Sequence, residues 1–149
     1  MENKNQQAIE LRLSELKKDY AEKVNDIQRR RRALNEEYVK SREDAFSNAR
    51  NEKSQLKAKI LSIDTSLCDD KTNAERIELR KLRIEYQYFI EKAKERRDAL
   101  LSEIYRKYNT DVHALDEESR QMKENHELQR IELLNEYDIA RRTSNVEVE

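Results

Sequence analysis

The sequence predicts an all-α protein, a long antiparallel two-helix coiled-coil hairpin that self-associates into a helical bundle. Three observations carry this. The 149 residues include no Gly and no Pro. Apolar residues recur every three or four positions along two stretches of equal length. A single cluster of turn-forming residues lies between them, near the middle of the chain.

An average chain of this size would carry about 18 Gly and Pro residues. Gly supplies positive φ for tight turns, and Pro interrupts helices and sheets. A fold of many strands needs such residues, whereas a fold with one or two turns does not. Charged residues make up 42% and apolar residues 36%. That balance suits a thin object that buries one stripe per helix. Disorder is the competing reading of so charged a chain, and the periodicity argues against it.

The first stripe is Ile9, Leu13, Leu16, Tyr20, Val24, Ile27, Arg31, Leu34, Tyr38, Arg42, Ala45, Ala49, Glu52, Leu56, Ile60, Ile63 and Leu67, with fourteen of seventeen positions apolar. The second is Leu82, Tyr86, Phe89, Ala93, Arg97, Leu100, Ile104, Tyr108, Val112, Leu115, Ser119, Met122, His126, Gln129, Leu133, Tyr137 and Ala140, with thirteen of seventeen. Composition alone would give about six in each. The mean step is 3.625 residues, close to the natural helix period, so rather straight helices with little supercoil are expected.

Between the stripes, Asp69, Asp70, Thr72 and Asn73 favour turns and caps, because their side chains compete for backbone hydrogen bonds. Thr72 and Glu75 match a capping box. The whole chain, 1–149, then reads as one elongated domain. Its helix one spans about 4–66, its hinge about 67–72, its helix two about 73–142, and its frayed tail 143–149. At 1.5 Å per residue each helix would be roughly 95–105 Å long. Tyr108-Asn109-Thr110-Asp111 offers caps for a third helix, so a break near residue 109 is the alternative. Closure near residue 69 would set Tyr20 beside Ser119 and Arg42 level with Arg97. The two arginines then either snorkel outward along their stems or face an acidic partner.

Apolar residues off the main stripes give each helix a second, broken one. They include Leu11, Val39, Phe46, Leu61, Ile77, Leu79, Leu128 and Ile139. A second stripe implies a second packing surface. The expected partners are a further copy of the chain, with a dimer favoured, or another helical protein. Apolar density peaks at Ile84 to Ile90. Ile84, Tyr86, Tyr88, Phe89, Ile90 and Tyr105 are the candidate protein-contact residues, since aromatic anchors dominate interface energies.

Formal net charge is −1 but unevenly spread. Residues 23–59 carry net +5 and residues 76–107 net +4, whereas residues 108–149 carry net −6. Folding at the hinge would gather a basic mid-stalk. Arg29, Arg30, Arg31, Arg32, Arg42, Arg96 and Arg97 are the candidate contacts for an anion or acidic partner, nucleic acid included. Successive side chains on a helix point about 100° apart, so the four-arginine run makes no single flat patch.

Catalytic chemistry is not expected. The chain has no Gly with which to build a phosphate-cradling loop. His113 and His126 lie apart, and neither follows a Glu by three positions as in di-iron bundles. Cys68 lacks closely spaced zinc-ligand companions. The expectation is a non-enzymatic structural or adaptor protein with no cofactor, no metal, no small-molecule substrate and no membrane contact. No apolar run nears the roughly 18 residues of a membrane span, and the N-terminus lacks a signal-peptide core. With one Cys, these features suit a cytoplasmic protein or a component of an intracellularly assembled particle.

The segment Ile84-Glu85-Tyr86-Gln87-Tyr88-Phe89-Ile90 and the hairpin layout resemble the small coiled-coil stalk proteins of flagellar and type III export ATPases. That resemblance implies a stalk role within an ATPase ring, and it covers seven residues of 149. Phage scaffolding and virion-assembly proteins are similar in size, charge and helicity. Export stalk, assembly scaffold and nucleic-acid accessory protein therefore stand as alternatives to the adaptor.

Overall fold

The computed structural model describes residues 4–148, with side chains through residue 143. It holds two long helices packed against each other as a hairpin, α1 (Lys4–Leu67) and α2 (Asn73–Val148). Contacts divide the chain into two compact units. One is formed by Met1–Leu34 with Thr110–Glu149, and the other by Asn35–Asn109.

The connection at residues 68–72 shows how a chain without Gly reverses. Two short bonds close the end of α1, from Cys68 N–H to the Thr65 carbonyl and from Asp69 N–H to the Ser66 carbonyl, both at 3.1 Å. Such i→i+3 closure ends a helix without a left-handed residue. No described residue has positive φ. At the start of α2, Glu75 N–H donates to Thr72 Oγ1 at 3.3 Å, which supplies the hydroxyl half of the expected capping box. Arg76 reaches back to the Asp69 carbonyl at 3.5 Å and holds the connection along the first turn of α2.

The core is thin. Its buried apolar residues are Ile9, Ile27, Ala45, Leu56, Ile63, Ala93 and Leu115, and among the described residues no large side chain is fully buried. In α1 every residue of the expected stripe faces inward except two. Ser41 takes the place expected of Arg42, and Glu52 is exposed. In α2 the phase differs near the start. Leu82, Phe89, Leu100 and Gln129 are exposed, whereas Leu79, Arg83, Ile90 and Leu101 are half-buried. The physical reason sits at Arg83. Its guanidinium meets Asp64 with Nε to Oδ1 at 2.8 Å, so a cation occupies an inward position at the level of α1's last turn.

The pairing register also departs from expectation, by about two helical turns. Within the first unit, Tyr20 stacks on His126, with ring centroids 4.0 Å apart, and not beside Ser119. Within the second, Arg83 meets Asp64, Arg96 meets Glu52 and Lys107 meets Glu37. The cause is the connection itself. Non-helical residues advance up to about 3.3 Å each against 1.5 Å in a helix. Residues 68–72 therefore climb past the end of α1 before α2 turns back, and the first turns of α2 are spent coming level with it.

Two further expectations change. α2 passes through Tyr108-Asn109-Thr110-Asp111 without a break, so no third helix forms there. It also continues to Val148, beyond the expected end at 142. Nothing in 143–148 is Gly or Pro, and the Thr143 hydroxyl donates to the Ile139 carbonyl at 3.0 Å. Glu149 lies outside the described residues.

Substitutions at three sites test this packing and the cap of α2 in thermal or urea melts followed by circular dichroism. Leu115→Ala removes a side chain that is 3% exposed and should cost about 2–3 kcal/mol. Leu128→Ala, at 60% exposure, should change stability by no more than about 0.5 kcal/mol in the isolated monomer. Thr72→Ala should cost about 1 kcal/mol, and Thr72→Ser should restore it.

Candidate interaction surface

Each unit presents its own surface. In the unit Asn35–Asn109, the apolar segment of α2 divides between two faces. Tyr86 and Ile90 turn toward α1 and are half-buried. Lys59 of α1 sets its ammonium 5.4 Å from the Tyr86 ring centroid. Ile84, Tyr88 and Phe89 turn outward, at 66%, 55% and 39% exposure. A helix dictates this split, because residues two apart point to nearly opposite sides. Ile84 and Tyr88, with Ile60 and Ile90 beneath them, line a shallow open groove whose rim carries Lys57 and Glu91.

Lys92 crosses the Tyr88 ring at 5.3 Å and donates to Glu95 at 3.1 Å. The Glu95 hydrogen bond and charge, with Tyr88 second, push the Lys92 ammonium above its ordinary value. Tyr105, the sixth contact candidate, lies away from that segment. It is 55% exposed and tilts against Tyr38 at 6.5 Å, while Tyr38 stacks on Tyr108 at 4.4 Å. The Tyr108 hydroxyl donates to Asn35. This tyrosine cluster is one that periodicity shows only as packing.

The arginine candidates are mostly engaged. In the unit of Met1–Leu34 and Thr110–Glu149, Arg30 makes a bidentate pair with Glu118, both bonds 2.7 Å, and Arg31 pairs with Asp116. Arg29 leans on Asp26 at 3.6 Å along its own helix. Arg32 is exposed and makes no ion pair among the described residues. In the unit Asn35–Asn109, Arg96 pairs with Glu52 and Arg97 with Asp98 at 2.9 Å.

Arg42 is exposed and Arg97 half-buried beside Asp98, and the two share one further neighbour. Both guanidinium carbons lie 5.7 Å from the centroid of Phe46. The ring's negative faces attract both cations, which offsets the like-charge proximity the sequence implies. Phe46, read from the sequence as an off-stripe apolar residue, is thus the group that organises this level. Its spacing of four from Arg42 is the local signal that marks it.

His126 stacks on Tyr20, and its Nδ1 is buried without a hydrogen-bond partner. The groove around it is lined by Asp19, Lys23, Asp26, Glu118 and Met122. Cys68 is exposed, and its thiol donates to the Asp64 carbonyl at 3.4 Å. Among the described residues no group of three or more His, Cys, Asp or Glu is set to hold a metal. No helix there is long and apolar enough to cross a membrane. The arrangement offers shallow grooves, exposed apolar side chains and mixed charge, which are the materials of a macromolecular contact.

The bidentate pair makes a titration test. The Arg30 hydrogen bond holds the Glu118 carboxyl below its ordinary range. A depressed carboxylate stabilises the fold above its unfolded pKa, and that contribution is lost as pH falls through the folded pKa. It is therefore complete at neutral pH and vanishes on acidification through the carboxylate range. An NMR titration of the Glu118 carboxyl should show its pKa rise in Arg30→Ala, because the hydrogen bond and charge that lower it are removed. An unchanged Glu118 titration would mean that the pair is not formed in solution.

Comparison of the chain with protein-family models, with curated proteins and with solved structures finds no match.

Proposed function

We propose that this protein is a non-enzymatic structural or adaptor coiled coil that acts by associating with other helical surfaces, its own copies first. One observation carries this reading. The hairpin buries seven apolar residues yet leaves fourteen large ones exposed, among the described residues. Single exposed apolar residues are ordinary. Here the fourteen, with Ile84, Tyr88, Leu128, Ile131 and Ile139 each at 50% or more, outweigh in bulk a core of seven that includes two alanines. A layer of two helices covers one face of each, and a further layer is the usual way to cover a second.

The nucleic-acid alternative draws less support. Arg30, Arg31, Arg96 and Arg97 already hold carboxylates, and a phosphate would have to displace them. The export-stalk and assembly-scaffold alternatives share the same helical surfaces and differ from the adaptor only in the partner.

Light scattering coupled to chromatography tests the proposal. At tens of micromolar the expected mass is a multiple of 18.0 kDa. A monomeric mass at that concentration, together with no complex formed with any helical partner, rejects it.

A further inference from the structure

Two exposed apolar stripes lie on α2, one in each unit, and they match in length and oppose in charge. Ile77, Ile84 and Tyr88 belong to the unit Asn35–Asn109, at 47%, 66% and 55% exposure. Leu128, Ile131 and Ile139 belong to the other unit, at 60%, 50% and 62%. At 100° per residue the first three fall within about 40° of one another and the second three within about 80°. Each set is one face of the helix, turned from α1. Each spans twelve residues, or about 16 Å of helix.

The charges beside them have opposite sign. Residues 76–92 carry net +2 and residues 124–139 carry net −4. Arg80 next to the first stripe and Asp138 next to the second make no ion pair among the described residues. Lys81 and Glu136 are held only by exposed contacts of 3.5 and 3.6 Å, to Glu78 and Arg12. Such contacts are weak enough to exchange for a better partner.

Resting on the self-association proposed above, we infer that the occupant of the basic stripe is the acidic stripe of a second copy, laid antiparallel. In that direction Ile77 comes level with Ile139, Ile84 with Ile131, and Tyr88 with Leu128. Arg80 then lies level with Asp138 on one flank and Lys81 with Glu136 on the other. In antiparallel pairs like flanks face each other, so both charge pairs fall on matching sides. The parallel direction is worse. It sets Ile84 against Asn135 and Ile131 against Arg80, which leaves polar groups facing the two central apolar residues. Apolar spacing and charge thus select one direction together, and each copy carries both halves of the contact.

Disulfide trapping tests the pairing. In a Cys68→Ser background, Ile84→Cys and Ile131→Cys are made as separate proteins, with helical content checked by circular dichroism. Both sites are exposed, so neither substitution touches the core. After mixing, subunit exchange and mild oxidation, the mixed disulfide between the two proteins should dominate, while each protein alone cross-links poorly. Homodisulfides equal to or exceeding the mixed species overturn the inference.

A charge exchange gives a second readout. Arg80→Glu with Lys81→Glu in one protein, or Glu136→Lys with Asp138→Lys in another, should each weaken self-association about tenfold. Mixing the two should restore it to within about threefold. No loss in either variant, or no recovery on mixing, overturns the pairing. If the unmodified chain is an oligomer but these results are negative, the copies meet by another face and the adaptor reading stands. If it is a monomer, this pairing fails, and the adaptor reading fails with it only when no helical partner is bound either.

Discussion

Two helices side by side have one line of contact, and that limit governs the molecule. Each helix can shelter only the residues within a narrow arc, so every fourth or third position is taken and the rest are left to water. The consequence is visible in the core, where isoleucine, leucine and alanine reach low exposure but, among the described residues, no large side chain is sealed. Where alanine occupies the seam, at Ala45 and Ala93, Phe46 and the stems of Arg42 and Arg97 supply the bulk nearby. Packing in such a seam is sequential. Each level is supported chiefly by its neighbours above and below, and a polar level such as Tyr20 over His126, with its unpartnered nitrogen, adds little strength of its own.

Electrostatics act on a different question from stability. Exposed pairs such as Arg12 with Glu136 or Lys107 with Glu37 contribute little individually. What they do is distinguish one register from another. An apolar stripe with a period near 3.6 looks almost the same after a slip of two turns, so hydrophobic contact alone discriminates poorly between neighbouring registers. The bidentate Arg30–Glu118 pair and the half-buried Arg83–Asp64 pair have no such tolerance, because a slip of two turns would separate both. Their geometric demand supplies the selectivity that the apolar seam lacks.

The same distinction explains how far the sequence could be read. Which α1 residues face inward was legible almost throughout, since Ile9 through Leu67 form one unambiguous ladder. Near the start of α2 two apolar ladders compete, through Leu79, Ile90 and Leu101 or through Leu82, Phe89 and Leu100. Local pattern offers no means to choose between them. The choice depends on Asp64, nineteen positions away from Arg83. The register was illegible for a related reason, because it depends on how far five non-helical residues climb. At the candidate surface, the outward turn of Ile84 and Tyr88 follows from helix geometry once the seam is known. The Phe46 level needed both helices to be in place, since it joins a ring on one to a guanidinium on the other.

The reversal at residues 68–72 uses only backbone conformations that any L-amino acid adopts. No achiral residue is required there, and α1 and α2 ask of most outward positions only that they be hydrophilic helix formers. A lineage built on this plan is therefore free to replace nearly every letter outside the seam and its few charged clasps while keeping the same hairpin. Descent would then be traceable through the rhythm of apolar positions long after residue-by-residue identity had faded.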